Sequence, residues 1–286
     1  MLLQEVVEQL GPRLGGCYVD GTLGLGGHTG LILQKSAPSG QVIGFEWDAQ
    51  AAALAQERLA SSADRWRLIP ASYAELLPRC HAQGITRVDG ILVDLGVSSL
   101  QLDTPERGFS FMADAPLDMR MDIRQQVTAA ELINTLPQEE LADIFFHYGE
   151  ERQARRIARF IAQARFEKPL TTTRQLAELV RLAVPPKYQP KKIHPGTTVF
   201  QALRIAVNRE LDNLARLLAD APTLLAPGAR LCIITFHSLE DRMVKQAFSG
   251  NPYYRVLTKK PILPTADEIK KNPRARSAKL RVAEKQ

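Results

Sequence analysis

Through the first hundred positions, short apolar runs alternate with segments whose apolar residues recur every three or four places. The runs at 17–20, 41–46, 66–70 and 90–95 are too short for helices and are bounded by Gly, Pro or acidic residues, which predicts strands. The segments at 28–34, 49–60 and 73–83 carry helical spacing. Repeated strand-helix units build a parallel sheet covered by helices, and such sheets bind ligands at the carboxyl ends of their strands, near the switch in strand order. The residues that end the strands are therefore the site candidates.

The pattern changes at about position 104. From there to 195 no run reads as a strand, and helical periods at 138–147, 150–165 and 172–183 are separated by Pro137, Pro169 and the pair Pro185-Pro186. In the helix expected at 150–165, Ala154, Ile157, Ala158 and Ile161 form one stripe, while Arg152, Arg155, Arg156 and Arg159 form a second about 200° away in projection. The first stripe packs; the second is either a solvated basic face or a surface for phosphate. Strand-helix alternation resumes with one long helix at 198–221, a Pro227-Gly228 turn, a strand at 230–236, a helix at 239–248 and a last strand at 279–283. The expected organisation is one α/β domain made of residues 1–103 and 197–286, interrupted by an all-helical insertion at 104–196.

With 286 residues the chain can bury one large or two medium cores, and its formal charge is +6. The charge is unevenly placed: ten Lys and Arg against three Asp and Glu follow position 250, a balance of +7 that leaves the rest near neutral. Such a tail suits a polyanion, RNA first among them, unless it is simply solvated and partly disordered. Three scattered cysteines, Cys17, Cys80 and Cys232, imply neither a disulfide frame nor a metal site. No stretch approaches the roughly 20 apolar residues of a membrane span and no leader pattern is visible, so a cytoplasmic location without membrane contact is expected.

The richest chemistry lies in Asp20-Gly-Thr-Leu-Gly-Leu-Gly-Gly-His28, directly after the first predicted strand. Its four glycines allow a tight turn and close approach of backbone to a ligand at the N-terminus of the next helix. Asp20 changes the ligand: a pyrophosphate would be repelled there, whereas the ammonium and sulfonium of S-adenosylmethionine would be attracted. Glu46 ends the second strand about 20 residues on, where an acid takes ribose hydroxyls in dinucleotide folds, though that spacing does not choose between cofactors sharing a ribose. Asp48 is the neighbouring alternative, or else the N-cap of the next helix. Tyr73, after the third strand, packs on adenine or is an ordinary half-buried aromatic. Asp94 ends the fourth strand beside the glycine turn, where it either faces the group to be transferred or caps a turn through Ser98 and Ser99. A nicotinamide dehydrogenase is disfavoured by Asp20 and by the lack of a regular Gly-x-Gly-x-x-Gly run. The rival from another class is a non-catalytic RNA-binding assembly factor.

Seven motifs, in order along nearly the whole chain, are similar to those of one family. They are Asp20-Gly-Thr-Leu-Gly-Leu-Gly-Gly-His28, Asp94-Leu-Gly-Val-Ser-Ser99, Glu106-Arg-Gly-Phe-Ser-Phe-Met112, Pro116-Leu-Asp-Met-Arg-Met-Asp122, Tyr148-Gly-Glu-Glu-Arg152, Phe236-His-Ser-Leu-Glu-Asp-Arg242 and Asn272-Pro-Arg-Ala-Arg-Ser277. The chain resembles the bacterial 16S ribosomal RNA cytosine N4-methyltransferases, the RsmH or MraW family. The resemblance implies a Rossmann-like α/β methyltransferase fold, a parallel sheet with a final antiparallel strand, and an inserted helical domain for RNA recognition. It implies methyl transfer from S-adenosylmethionine to N4 of cytosine 1402 in the decoding region, with 16S ribosomal RNA or the small ribosomal subunit as partner. Monomer and homodimer both stay open. Carried over by position, the cofactor residues are Gly26, Gly27, His28, Glu46, Tyr73, Asp94 and Gln101, joined by Asp20 from the chemistry above. His28 and Gln101 come from the resemblance alone.

Two departures matter. The family commonly has Asp where this chain has Glu46, and it usually carries a few more residues, including a His, before the segment that here begins Met1-Leu-Leu. The cytosine N4 lone pair is conjugated with its ring, so the amine must be turned toward the methyl and its hydrogens held by acceptors. Asp94 and Ser98 are the expected catalytic holders, and positioning rather than a strong base carries the rate. No Asn/Asp-Pro-Pro-aromatic tetrapeptide follows the fourth strand. Ser98, Ser99 and the loop 107–112 take its place, with Phe109 and Phe111 either stacking on an unpaired base or anchoring the insertion. His237 is expected to cap the following helix or line the RNA path.

Overall fold

In the computed structural model, which describes residues 1–191 and 193–286, helix α1 (Leu3–Leu10) precedes three strand-helix repeats and a fourth strand. These are β1 (Cys17–Asp20), α2 (Gly27–Lys35), β2 (Gln41–Phe45), α3 (Ala49–Arg58), β3 (Trp66–Ile69), α4 (Leu76–Ala82) and β4 (Val88–Asp94). Six helices follow without a strand: α5 (Ser99–Asp103), α6 (Ala129–Thr135), α7 (Gln138–Gly149), α8 (Ala154–Glu167), α9 (Thr173–Ala183) and α10 (Gly196–Asn208). The chain ends with α11 (Glu210–Leu224), β5 (Leu225–Thr235), α12 (Ser238–Gly250), β6 (Tyr254–Val256), α13 (Ala266–Lys271) and β7 (Lys279–Lys285).

Contacts divide the chain into two compact units, Met1–Gly96 with Leu211–Gln286, and Val97–Glu210. In the first, the seven strands of the described residues form one sheet in the order β3-β2-β1-β4-β5-β7-β6. The neighbours from β3 to β5 are parallel, and β7 lies antiparallel between β5 and β6. This is a Rossmann-like arrangement, and its strand order reverses between β1 and β4, the place where such sheets take ligands. The short β6, absent from the periodicity reading, is three residues long and half exposed, too brief to show an alternating pattern.

Alternation along the strands sorts the core onto two faces. Val19, Ile43, Ile91, Val93, Leu231 and Ile233 point to one side, where Leu214, Leu217, Leu218 and Ala221 of α11 cover them with Val244 and Phe248 of α12. Tyr18, Val42, Leu92, Cys232 and Ile234 point to the other, under Val6, Val7 and Leu10 of α1 and Ile32 and Leu33 of α2. The Pro227-Gly228 segment lies inside β5: Val88 pairs with Leu225 and Gly90 with Arg230, so the intervening residues bulge outward.

In the second unit α7 packs between α8 and α10. A side chain at Gly149 would stand 2.7 Å from the Thr198 carbonyl oxygen, so α7 and α10 cross as closely as backbone permits. Two expectations are corrected here. The single helix at 198–221 is two helices, broken where Arg209 takes φ 51° and donates to the carbonyls of Ala206 and Ile205. Glu210 then turns its carboxylate back onto Arg204 in two bonds of 2.8 Å. The helix expected from 150 starts at Ala154, because Glu150 caps α7 with φ 50°.

Candidate active site

β1 ends at Asp20 because the chain turns at Gly21, whose N–H donates to the Leu92 carbonyl at 2.8 Å. A side chain there would meet Val93 Cγ2 at 2.9 Å and Tyr73 Cβ at 3.1 Å, so the turn must pass as bare backbone. Gly24 and Gly26 follow with φ of 52° and 75°, and Gly26 caps α2. Gly26→Ala joins a left-handed backbone to a Cβ only 2.9 Å from Leu59 Cδ1. We expect a loss of about 1–3 kcal/mol, read as a lower urea midpoint at unchanged slope. At Gly27 a Cβ would meet nothing within 4 Å, so the first turn of α2 is open to a ligand.

Three carboxylates gather around this turn. Asp20 is fully buried; its Oδ2 accepts from the Thr29 hydroxyl at 2.7 Å and its Oδ1 from the Thr22 N–H at 3.2 Å. Glu46 Oε2 accepts from Gly24 N–H at 2.9 Å, and its Oε1 from Asp48 N–H at 2.8 Å. Two of about four acceptor positions on that carboxylate stay available for a hydroxyl pair. Asp94 is placed by its own N–H, which donates to Thr22 Oγ1 at 2.7 Å. Its Oδ2 lies 3.8 Å from the Met1 ammonium, and its Oδ1 is buried without a hydrogen-bond partner among the described residues.

Burial dominates the electrostatics. It raises Asp20 to about 6 and Glu46 to about 7, their backbone and hydroxyl donors pulling the other way. It also holds Asp94 far above the usual carboxylate range, with Asp20, Glu240 and Glu268 adding to the rise against the Met1 ammonium. Among the described residues no Lys or Arg pairs with any of the three. A site built this way favours a cation, whose arrival lets the acids ionise.

His28 is buried in α2, and its Nε2 meets the Met1 carbonyl at 3.0 Å. A carbonyl only accepts, so Nε2 carries the proton; burial lowers the ring to about 4, leaving it neutral at physiological pH. Tyr73 is buried at the start of a short 3-10 turn after β3. Asp48 is the N-cap of α3, accepting from Gln50 and Ala51. Asp20, Gly26, Gly27, His28, Glu46, Tyr73 and Asp94 thus all lie on the first unit, at or after the carboxyl ends of β1 to β4.

Ser98 and Gln101 belong to the second unit. They form a capping box on α5: Ser98 Oγ accepts from Gln101 N–H at 3.2 Å, and Gln101 Oε1 accepts from Ser98 N–H at 3.1 Å. Gln101 is also buried. Phe109 is buried too, and Phe111 packs edge-on against Phe200 at 4.8 Å, beside His194 at 4.9 Å. Phe111 thus packs within the helical unit, and Arg107 lies over the Phe109 ring at 6.0 Å. Of the arginine stripe, Arg155 and Arg159 are exposed, Arg152 precedes α8, and Arg156 donates to the Ala183 carbonyl while lying over Phe160.

His237 caps α12, its Nδ1 3.5 Å from Glu240 N–H, while Glu240 Oε2 accepts from Phe236 N–H at 2.8 Å. Sequence reasoning missed Thr22 and Thr29, the hydroxyls that orient Asp94 and Asp20. A Thr two places after a strand-ending Asp is the only signal for the first, and nothing in spacing marks the second.

The whole chain, residues 1–286, matches the MraW methylase family. It is 53% identical over 285 residues to the ribosomal RNA small subunit methyltransferase H of Desulfotalea psychrophila, covering 100% of this chain and 97% of that protein. The protein of the same name from a Cyanothece species is 55% identical over 285 residues, covering 100% and 93%. Among solved structures, TrmN from Thermus thermophilus is similar at 15% identity with a TM-score of 0.48; the match covers 100% of this chain and 48% of that longer one. No helix among the described residues is long and apolar enough to cross a membrane. A family match from the first residue to the last, with relatives about half identical over the same span, makes one assignment: the chain belongs to the MraW methylase family.

Proposed function

We propose that this protein is a cytoplasmic S-adenosylmethionine-dependent methyltransferase that modifies N4 of cytosine 1402 in the 16S ribosomal RNA of the small subunit. The observation that carries the reading is Asp94 Oδ1, a buried carboxylate oxygen without a partner among the described residues, at the end of β4 beside a glycine turn. The relatives' name, which assigns ribosomal RNA of the small subunit, supports the substrate.

The residues present fit the cofactor: Asp20 and Asp94 for its cationic end, the open first turn of α2 at Gly27, and spare acceptor positions on Glu46 for a ribose. When bound, S-adenosylmethionine would supply an electrophilic methyl on a sulfonium, the S–CH3 bond breaking to leave a neutral thioether as the N–C bond forms. Asp94 Oδ1 then accepts an N–H of the cytosine amine and turns its lone pair in line. Once the new bond forms, the nitrogen is acidic and Asp94 is placed to take its proton.

Purified protein, methyl-labelled S-adenosylmethionine and small-subunit particles from cells lacking the enzyme test this directly. N4-methylcytidine, identified by mass at a single position and approaching one per particle, is expected. Label in another nucleoside, or none with intact cofactor binding, would sink the assignment.

A further inference from the structure

The acidic edge that suits a cationic cofactor is the wrong surface for RNA. Asp20, Glu46 and Asp94 lie there with Glu240 and Glu268 nearby, and a phosphate backbone approaching it would be repelled unless cations flank the entrance. The basic tail supplies such a flank, because it is folded rather than loose. Ile262 and Leu280 exchange two backbone bonds of 2.9 Å, Ala275 and Ala278 are fully buried, and Thr265 and Asn272 side chains cap the turns between them.

One contact fixes where this segment sits. Glu268, in α13, accepts the Leu2 N–H at 2.8 Å, and the residue before Leu2 lies against both Asp94 and His28. Lys270 and Lys271 follow within one turn, about 5 Å along the axis, and Arg276 lies just beyond; all three are exposed. Across 259–276, six cations face two acids, and one of those acids is the Glu268 already bonded.

We propose that this folded segment is an RNA-docking rail: Lys270, Lys271 and Arg276 hold phosphates of the strand whose base enters at Asp94. The assignment rests on the RNA substrate proposed above. Its rigidity matters, since cations held by a folded segment bind phosphate without first losing chain freedom.

The test uses the full chain and a short unpaired cytosine-containing RNA, with binding measured across a range of salt. In K270E/K271E the affinity should fall at least tenfold near 100 mM salt. The slope of log K on log salt should flatten by about 1.4, or 0.7 for each phosphate that the variant no longer neutralises. Affinity for S-adenosylmethionine should stay within twofold, and in methylation of small-subunit particles KM for the particle should rise with kcat unchanged. K35E is the control: Lys35 is exposed at the far end of α2, about 13 Å from the glycine turn, and should leave all these values unchanged. A double variant that binds RNA like K35E, with the parent's slope, overturns the docking assignment while leaving the methyltransferase reading intact. A parent protein that binds no RNA at any salt overturns the docking assignment, and the methyltransferase reading is then decided by the particle assay above.

Discussion

Asp20→Asn yields a protein that is more stable than its parent at pH 7 without ligand, yet binds S-adenosylmethionine about 100-fold more weakly, a difference of about 2.7 kcal/mol. Both effects follow from one buried carboxylate. Asn keeps the shape and can still accept from Thr22 N–H and meet the Thr29 hydroxyl, so the change removes charge without opening a cavity. In the parent, burial raises Asp20 from 3.8 to about 6. Between those values the unfolded chain has released a proton that the folded protein keeps, so stability falls as pH rises through the window. Asn does not titrate. The stability difference between variant and parent should therefore be near zero at pH 4, grow through pH 5 and level above pH 6, as urea unfolding at each pH would show. Cofactor binding runs the opposite way: parent affinity rises with pH as the acid ionises, and the variant's curve is flatter. Equal affinities by calorimetry at pH 7 would mean that Asp20 only braces the turn.

Asp94→Ala should lower kcat about 1,000-fold at saturating cofactor, with the fold retained. Removing a preorganised partner of the reacting group typically costs about 100- to 1,000-fold, and in the proposed mechanism the lost oxygen both orients the amine and accepts its proton. The backbone stays in place because the Asp94 bond to Thr22 uses the main-chain N–H, which Ala also has. Asp94→Asn restores an acceptor but no base, so it should recover part of the rate. Single-turnover methylation of small-subunit particles separates the three proteins, and near-parental turnover by the Ala variant would remove Asp94 from the chemistry.

The strands and their order of chemistry were legible because the parallel sheet leaves a direct trace: continuous apolar runs ending in Asp20, Glu46 and Asp94. Breaks in helices were not. Arg209 and Glu150 adopt left-handed backbone without being Gly or Asn, and the Arg204 pair with Glu210 spans the first of these breaks. No local propensity marks such positions. The same limit hid Thr29 and Glu268, whose partners lie 9 and 266 residues away. The aromatic residues Phe109 and Phe111 were ambiguous for a related reason, since a ring that stacks on a base and a ring that fills a core read alike until their neighbours are known.

The antiparallel β7 has a consequence for how the protein comes into being. It fills the gap between β5 and β6, so the sheet holding the three acids cannot close until nearly the whole polypeptide has been synthesised. Residues 97–210 are complete far earlier and make their own contacts. The order of folding can therefore differ from the order in sequence: the interrupting helices can settle while β1 to β4 wait for β5. A chain released before β7 would carry the acids on an unfinished sheet with the edge of β5 bare, a species for proteases and chaperones rather than for methyl transfer.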